Sequence, residues 1–280
     1  MSVRRRTLLD FVAGLATARV RRTFGEHAHA RVVSFPSSDG LTLQGWLVEP
    51  DDARGTVVLG HGYRDDRRQL LEPLLEPLTA LGLRLLAIDF RGHGESDGER
   101  ITIGAHEAKD VPAALDFAAT LSGPVSYVGF SMGAAAYLLS GREAHAAVLD
   151  SPYDTLREAI YARLDRFFLP RALVRDVERL RDDEAYPVLD AVRPIDAVAT
   201  LVRPTLILFA PHDPWLPAST RARFRASMSA ACRFAVLARG MHQGHFDAEW
   251  RARVTTFLSE QYGGLSPSEP PPPAKRPRRI

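Results

Sequence analysis

The chain has 280 residues, 45% hydrophobic and 25% charged, which is ordinary for a globular protein and excludes a disordered chain or a membrane bundle. A formal net charge of +2 is too small to point to nucleic acid. The lone cysteine, Cys232, cannot form an intramolecular disulfide and reads as structural, and no Cys or His spacing suits a metal ion.

At the N-terminus, Arg4-Arg5-Arg6 precede a short apolar stretch, a pattern compatible with an export signal. Asp10 interrupts that stretch, and Leu8, Phe11, Val12 and Leu15 fall at helical spacing. The expectation is therefore an amphipathic helix within residues 1–30 and a cytoplasmic protein. The segment is too short to span a bilayer.

A domain over 31–262 follows. Arg31–Phe35 and Leu41–Val48 alternate as strands, and Ser38-Asp39-Gly40 between them signals a hairpin. Thr56–Leu59 is continuously apolar, as in a strand covered on both faces. Helices are expected at 70–81, 105–121, 218–229 and 247–261. Further strands are expected at 83–90, 125–130, 146–150, 205–209 and 234–237. Antiparallel strands followed by strand–helix alternation predict an α/β fold with a mostly parallel sheet and helices on both faces. Residues 153–203 lack a strong strand and read as a small helical cap over the carboxyl ends of the strands. From 263 to 280 the chain is rich in Pro and Arg and is expected to be disordered.

The chemistry centres on Gly129-Phe130-Ser131-Met132-Gly133, set between an apolar strand and a helix start. A strand turning sharply into a helix at a serine is the nucleophile elbow. Its flanking glycines avoid a collision at a strained turn. A serine hydroxyl needs a base, and the base an orienting acid. Loops after the last strands converge on the elbow. They offer Asp213 as the acid and His242 as the base, with Asp150 and His245 as rivals. The oxyanion of acyl transfer needs two N–H donors. Met132 supplies one. Tyr63, in the Gly60-His61-Gly62-Tyr63 loop, is the candidate for the other, and His61 reads as a side chain that shapes this loop.

These motifs, with Asp89-Phe90-Arg91-Gly92-His93-Gly94-Glu95-Ser96 and Asp150-Ser151-Pro152, resemble the α/β-hydrolase superfamily. The similarity is strongest to its serine aminopeptidase-like, acylglycerol-lipase-like branch, and it covers about 32–258. It implies an α/β-hydrolase fold and roles for Ser131, Asp213 and His242 that match those above. It also implies that the Arg-Gly-His-Gly segment is a structural turn, so that His93 is not the base. The chain departs from the family pattern at Arg239-Gly240-Met241 and at His212, and neither departure removes a catalytic group.

The expected activity is hydrolysis of a carboxylic ester, with a small-molecule acyl substrate, no cofactor, no metal and no nucleic acid. Two alternatives stay open. The same machinery would serve a peptidase, amidase, thioesterase or acyltransferase, and the scaffold alone would serve a non-catalytic binding protein. Dehalogenase chemistry is disfavoured, because its nucleophile is an aspartate where Ser131 stands.

Overall fold

Strands that are apolar at every position need cover on both faces, and the central strands of this chain have it. The computed structural model describes residues 17–25, 27–175, 188–242 and 246–263. Its strands are β1 (Thr17–Ala18), β2 (Val20–Arg21), β3 (Arg31–Pro36), β4 (Thr42–Val48), β5 (Gly55–Gly60), β6 (Leu83–Ile88), β7 (His93–Gly94), β8 (Arg100–Ile101), β9 (Val125–Phe130), β10 (Ala147–Asp150), β11 (Thr205–Phe209) and β12 (Cys232–Val236). Its α-helices are α1 (Arg68–Thr79), α2 (Asp110–Ala119), α3 (Met132–Ser140), α4 (Leu156–Arg166), α5 (Pro194–Val198), α6 (Ala218–Ser227) and α7 (Ala248–Gln261). Eight strands form one sheet in the order β12-β11-β10-β9-β5-β6-β4-β3. The run from β12 to β6 is parallel, and β4 and β3 join antiparallel through the expected hairpin.

Successive side chains of a strand point to opposite faces. On β5, Val57 and Leu59 join one apolar cluster with Leu70, Leu71, Leu74 and Leu78 of α1 and Trp250, Val254 and Leu258 of α7. Val58 joins the other, with Val111, Ala114 and Leu115 of α2 and Ala134 to Leu138 of α3. Each fully buried Leu or Val contributes about 1.5–3 kcal/mol, so every helix face is tied to a particular strand face. The C-terminal ends of β5, β9, β10, β11 and β12 consequently line up along one edge of the sheet.

The helix expected within residues 1–30 rests on Leu8, Phe11, Val12 and Leu15. Residues 1–16 lie outside the described residues. Beyond them β1 and β2 are extended, not helical, and pair with β8 and β7. The Arg19 and Val20 amides donate to the carbonyls of Glu99 and Gly92. The turn around His93 offers backbone acceptors that extended chain can meet and a helix cannot. The Pro- and Arg-rich tail from 264 onward also lies outside the described residues.

The insertion between β10 and β11 contains α4, α5 and single 3-10 turns at Arg171–Leu173 and Leu189–Ala191, with no strand among its described residues. Helix α4 begins at a capped turn, where Thr155 Oγ1 accepts from Glu158 N–H at 3.2 Å.

Candidate active site

The elbow between β9 and α3 is built by close packing. Ser131 has φ +50° and ψ −108°, a conformation that costs a non-glycine residue on the order of 1–3 kcal/mol. Its surroundings hold it there. Ser131 N–H donates to Asp150 O at 2.7 Å, and its carbonyl accepts from Ala135 N–H at 3.0 Å. A Cβ on Gly129 would lie 2.6 Å from the Tyr127 ring, and one on Gly133 would overlap the Gly60 carbonyl. Both glycines are therefore required, and the second lets α3 press against the end of β5.

Asp213 and His242 reach this turn from the loops after β11 and β12. His242 Nε2 lies 2.8 Å from Ser131 Oγ, and His242 Nδ1 lies 2.6 Å from Asp213 Oδ2. The other Asp213 oxygen accepts from the backbone N–H groups of Trp215 (2.8 Å) and Leu216 (3.2 Å). Both oxygens of the acid are thus engaged and fixed. With Asp213 as an acceptor, the imidazole proton sits on Nδ1, and the Nε2 lone pair faces the serine hydroxyl. The imidazole packs against Phe130, with ring centroids 5.1 Å apart, and its side chain is only 12% exposed.

One of the two rivals is engaged elsewhere. Asp150 is buried at the end of β10, where it accepts from Trp250 Nε1 at 2.7 Å and from Ser151 Oγ at 2.8 Å. It ties α7 to the sheet. His245 lies outside the described residues.

The loop after β5 is organised by two buried histidines. Phe90 N–H donates to His61 Nε2 at 3.1 Å, and His61 Nδ1–H donates to Gly62 O at 2.7 Å. Arg64 N–H donates to His93 Nε2 at 3.2 Å, and His93 Nδ1–H donates to Arg91 O at 2.9 Å. Both rings must be neutral to accept these bonds. Burial pushes the pKa of His61 down, and burial together with the His61 ring pushes that of His93 down to about 3. Gly62 N–H is committed to Gln69 Oε1 at 2.6 Å. Tyr63, the next residue, lines the same cavity as Ser131 and His242, while Met132 is buried at the first position of α3.

The dense polar segment after β6 is a scaffold. Asp89 and Arg67, both fully buried, pair at 2.5 Å, and Asp89 also accepts from Glu95 N–H at 3.0 Å. Gly94, at φ +47°, is the position where a Cβ would overlap the Asp89 carboxylate. Arg91 binds Asp110 at 2.7 Å and Asp39 at 2.8 Å. The second contact holds the Asp39 carboxyl well below the usual carboxylate range.

Ser131 opens into a cavity of about 370 Å³. Its lining includes the apolar side chains of Ile103, Phe130, Ala159 and Leu216 and the basic ones of Arg22, Arg64 and Arg163. Helix α4 of the insertion contributes Ala159 and Arg163, so part of the insertion faces the serine. Three features of this cavity were not foreseen from the sequence: Arg163, the backbone donors after Asp213, and Ile103. Ile103 has φ +55°, and its turn is held by Glu107, whose carboxylate accepts from Thr102 N–H, Thr102 Oγ1 and Gly104 N–H. The Gly104 that follows is the one local signal for that turn.

Comparison with known proteins fixes the family. Residues 51–181 match the family described as serine aminopeptidase, S33. An uncharacterized protein of Mycobacterium tuberculosis is 30% identical over 231 residues, which cover 78% of this chain and 73% of that protein. The chain is an enzyme of the α/β-hydrolase superfamily, in the serine aminopeptidase-like family. A shorter stretch of this α/β-hydrolase, 24% of the chain, is 38% identical to 24% of a monoacylglycerol lipase of Mycolicibacterium smegmatis. Among solved structures, an esterase of Pyrococcus furiosus superposes with a TM-score of 0.70 at 23% identity, over 85% of this α/β-hydrolase and 96% of that chain. At that identity the likeness speaks for the fold. Among the described residues, no helix is long and apolar enough to cross a membrane, and no cluster of His, Cys, Asp or Glu could hold a metal ion.

Proposed function

We propose that this α/β-hydrolase is a serine hydrolase that cleaves a carboxylic ester through an acyl-enzyme on Ser131. The observation that carries the reading is the continuous hydrogen-bonded line from Asp213 through His242 to Ser131 Oγ, which ends at a strained turn facing a cavity. Ser131 Oγ attacks the ester carbonyl carbon while His242 Nε2 takes its proton. The imidazolium so formed is held by the Asp213 carboxylate. It returns the proton to the leaving alkoxide as the carbon–oxygen bond breaks. Water then attacks the acyl-enzyme, with His242 as base again, and releases the acid and the serine.

The negative charge that develops on the carbonyl oxygen needs fixed donors. Met132 N–H, at the positive end of α3, is one. Tyr63 N–H is the other, since the Gly62 amide before it is committed to Gln69. The monoacylglycerol lipase among the similar proteins favours an ester over an amide.

The test is turnover of p-nitrophenyl esters of increasing chain length by wild type and Ser131→Ala. Ester turnover that drops about 10⁶-fold in the variant is expected. Undiminished turnover in Ser131→Ala sets the mechanism aside. Rejection of every ester by wild type shifts the reading to an amide, a thioester or a binding role.

A further inference from the structure

A developing oxyanion is stabilised most by donors that are aimed before the substrate arrives. The two elements that carry the proposed donors touch. Gly133, which follows Met132, has no room for a Cβ: one would overlap Gly60 O and lie 2.8 Å from His61 O. The loop after β5 is thus pressed against the first turn of α3, and Gly62, Tyr63 and Ser131 line one cavity. This contact brings Tyr63 near the serine, but it does not decide where the Tyr63 N–H points.

That direction follows from the Gly62–Tyr63 peptide. The peptide is planar and trans, so its N–H points opposite to its C=O. His61 Nε2 accepts from Phe90 N–H at 3.1 Å, which places the ring proton on Nδ1. Nδ1–H then donates to Gly62 O at 2.7 Å. His61 is 1% exposed, and its ring packs edge-on against Phe90 and His93, with centroids 5.1 and 4.7 Å away. Gly62 C=O is therefore drawn to the buried side of the loop. Tyr63 N–H is turned to the other side, where the cavity lies.

The peptides before and after are pinned as well. Gly62 N–H donates to Gln69 Oε1 at 2.6 Å. Gly62 O also accepts from Asp65 N–H at 3.3 Å, which closes a turn centred on Tyr63 and Arg64. Arg64 has φ +60°, the sign that a type II turn needs at its third position, where glycine is usual. A type I turn would relieve this strain by rotating the peptide between Tyr63 and Arg64. The bond from Arg64 N–H to His93 Nε2, 3.2 Å long, opposes that rotation. Three consecutive peptides are thus each held by one side chain, of Gln69, His61 and His93 in turn.

We propose that His61 is a positioning residue for the chemistry: through Gly62 O it aims Tyr63 N–H at the oxyanion, with Gln69 and His93 holding the flanking peptides. The inference rests on Ser131 being the nucleophile and on Tyr63 N–H being an oxyanion donor. An oxyanion donor acts on charge that appears only in the transition state. Losing its aim should therefore lower kcat and leave KM nearly unchanged.

The experiment uses two amides that each copy one edge of the imidazole. His61→Asn can place an N–H where Nδ1–H was and keep the bond to Gly62 O. His61→Gln can place an oxygen where Nε2 was, which keeps the bond from Phe90 N–H and loses the one to Gly62 O. Both remove a buried ring, and urea unfolding measures what each loses in stability. For a p-nitrophenyl ester that wild type cleaves, His61→Gln should lower kcat roughly 10- to 100-fold with KM changed by less than about threefold, because a misaimed donor costs less than the about 10²–10³-fold of a missing one. His61→Asn should recover kcat to within about fivefold of wild type, whatever its stability. The rate of fluorophosphonate labelling at Ser131 should follow the same order, and it carries the comparison if wild type labels but cleaves no ester. Gln69 is half-buried, so Gln69→Met serves if the His61 variants do not fold, with kcat expected to fall about tenfold at nearly constant KM. Equal losses in the two His61 variants, or unchanged kcat in His61→Gln or in Gln69→Met, overturn the inference while an active wild type leaves Ser131 as nucleophile. A wild type that neither cleaves an ester nor labels at Ser131 marks failure of the nucleophile reading, and the inference falls with it.

Discussion

At the scale of residues, four of the five proposed catalytic groups are set by contacts that leave little freedom. Ser131 is held by Asp150 O and Ala135 N–H, His242 by Phe130 and Asp213, and Asp213 by two backbone amides. Met132 is fixed by its place at the start of α3. This predicts how the two candidate acids respond to substitution. Asp213→Asn disturbs the imidazole tautomer and should lower kcat by about 10⁴-fold with little change in fold. Asp150→Asn presents an amide N–H₂ to the Trp250 or Ser151 donor and should instead lower stability, by about 1–3 kcal/mol, with kcat of the folded protein changing by less than roughly tenfold. Steady-state kinetics and urea unfolding of both variants check the assignment, and the reverse pattern would exchange the roles.

Much of this was legible beforehand because it is local. Gly129, Ser131 and Gly133 are close neighbours in sequence, and the turn they make follows from missing Cβ atoms. Asp213 and His242 follow the last two strands, so topology alone brings them to the elbow. Arg163 and Ile103 were not legible. Arg163 sits in a helix with a mixed polar and apolar sequence, and which side meets the cavity depends on how α4 lands on Tyr63 and Trp215. Ile103 faces the cavity because Glu107, later in the chain, clamps its turn.

At the scale of elements, the turn that joins β6 to β7 and β8 is the main polar support of the fold. Arg67 precedes α1 and binds Asp89 in full burial, with a second contact to Glu95 at 3.0 Å. Removing one partner strands the other charge. Arg67→Met should therefore destabilise the protein by about 3–5 kcal/mol, measured by chemical denaturation. A loss below about 1 kcal/mol would show that water reaches Asp89. Gly94→Ala tests the same turn sterically, and the overlap of its Cβ with Asp89 should cost about 3 kcal/mol. Elements were expected in the right places wherever apolar periodicity was strong, as in β5, β9 and α1. The two short strands over 17–21 were not expected, since pairing with the β7–β8 turn decides their conformation and no local pattern announces it.

At the scale of the whole molecule, the neutral pair His61 and His93 couples stability to pH. Unfolded histidines titrate near about pH 6.5, whereas burial holds His93 down at about 3 and lowers His61 as well. Between these values the unfolded chain binds protons that the folded chain does not. The stabilisation is complete above about pH 6.5 and is lost as pH falls toward about 3, at up to about 1.4 kcal/mol per pH unit for each histidine. His93→Gln keeps an acceptor for Arg64 N–H but does not titrate. Its unfolding free energy, followed from about pH 7.5 to about 4.5, should therefore fall less steeply than that of wild type. Parallel curves would assign the acid limb to other groups.

Two layers of helices, α1 and α7 on one side and α2 and α3 on the other, press the strand ends into a row. That row brings Ser131, Asp213 and His242 together from positions up to 111 residues apart. The most direct test is covalent labelling by a fluorophosphonate, located by peptide mass spectrometry in wild type and in His242→Ala. A single adduct on Ser131 is expected in wild type, forming at least about 10³-fold more slowly in the variant. A well-folded wild-type protein with no adduct on Ser131, or one labelled equally fast without His242, would contradict the account.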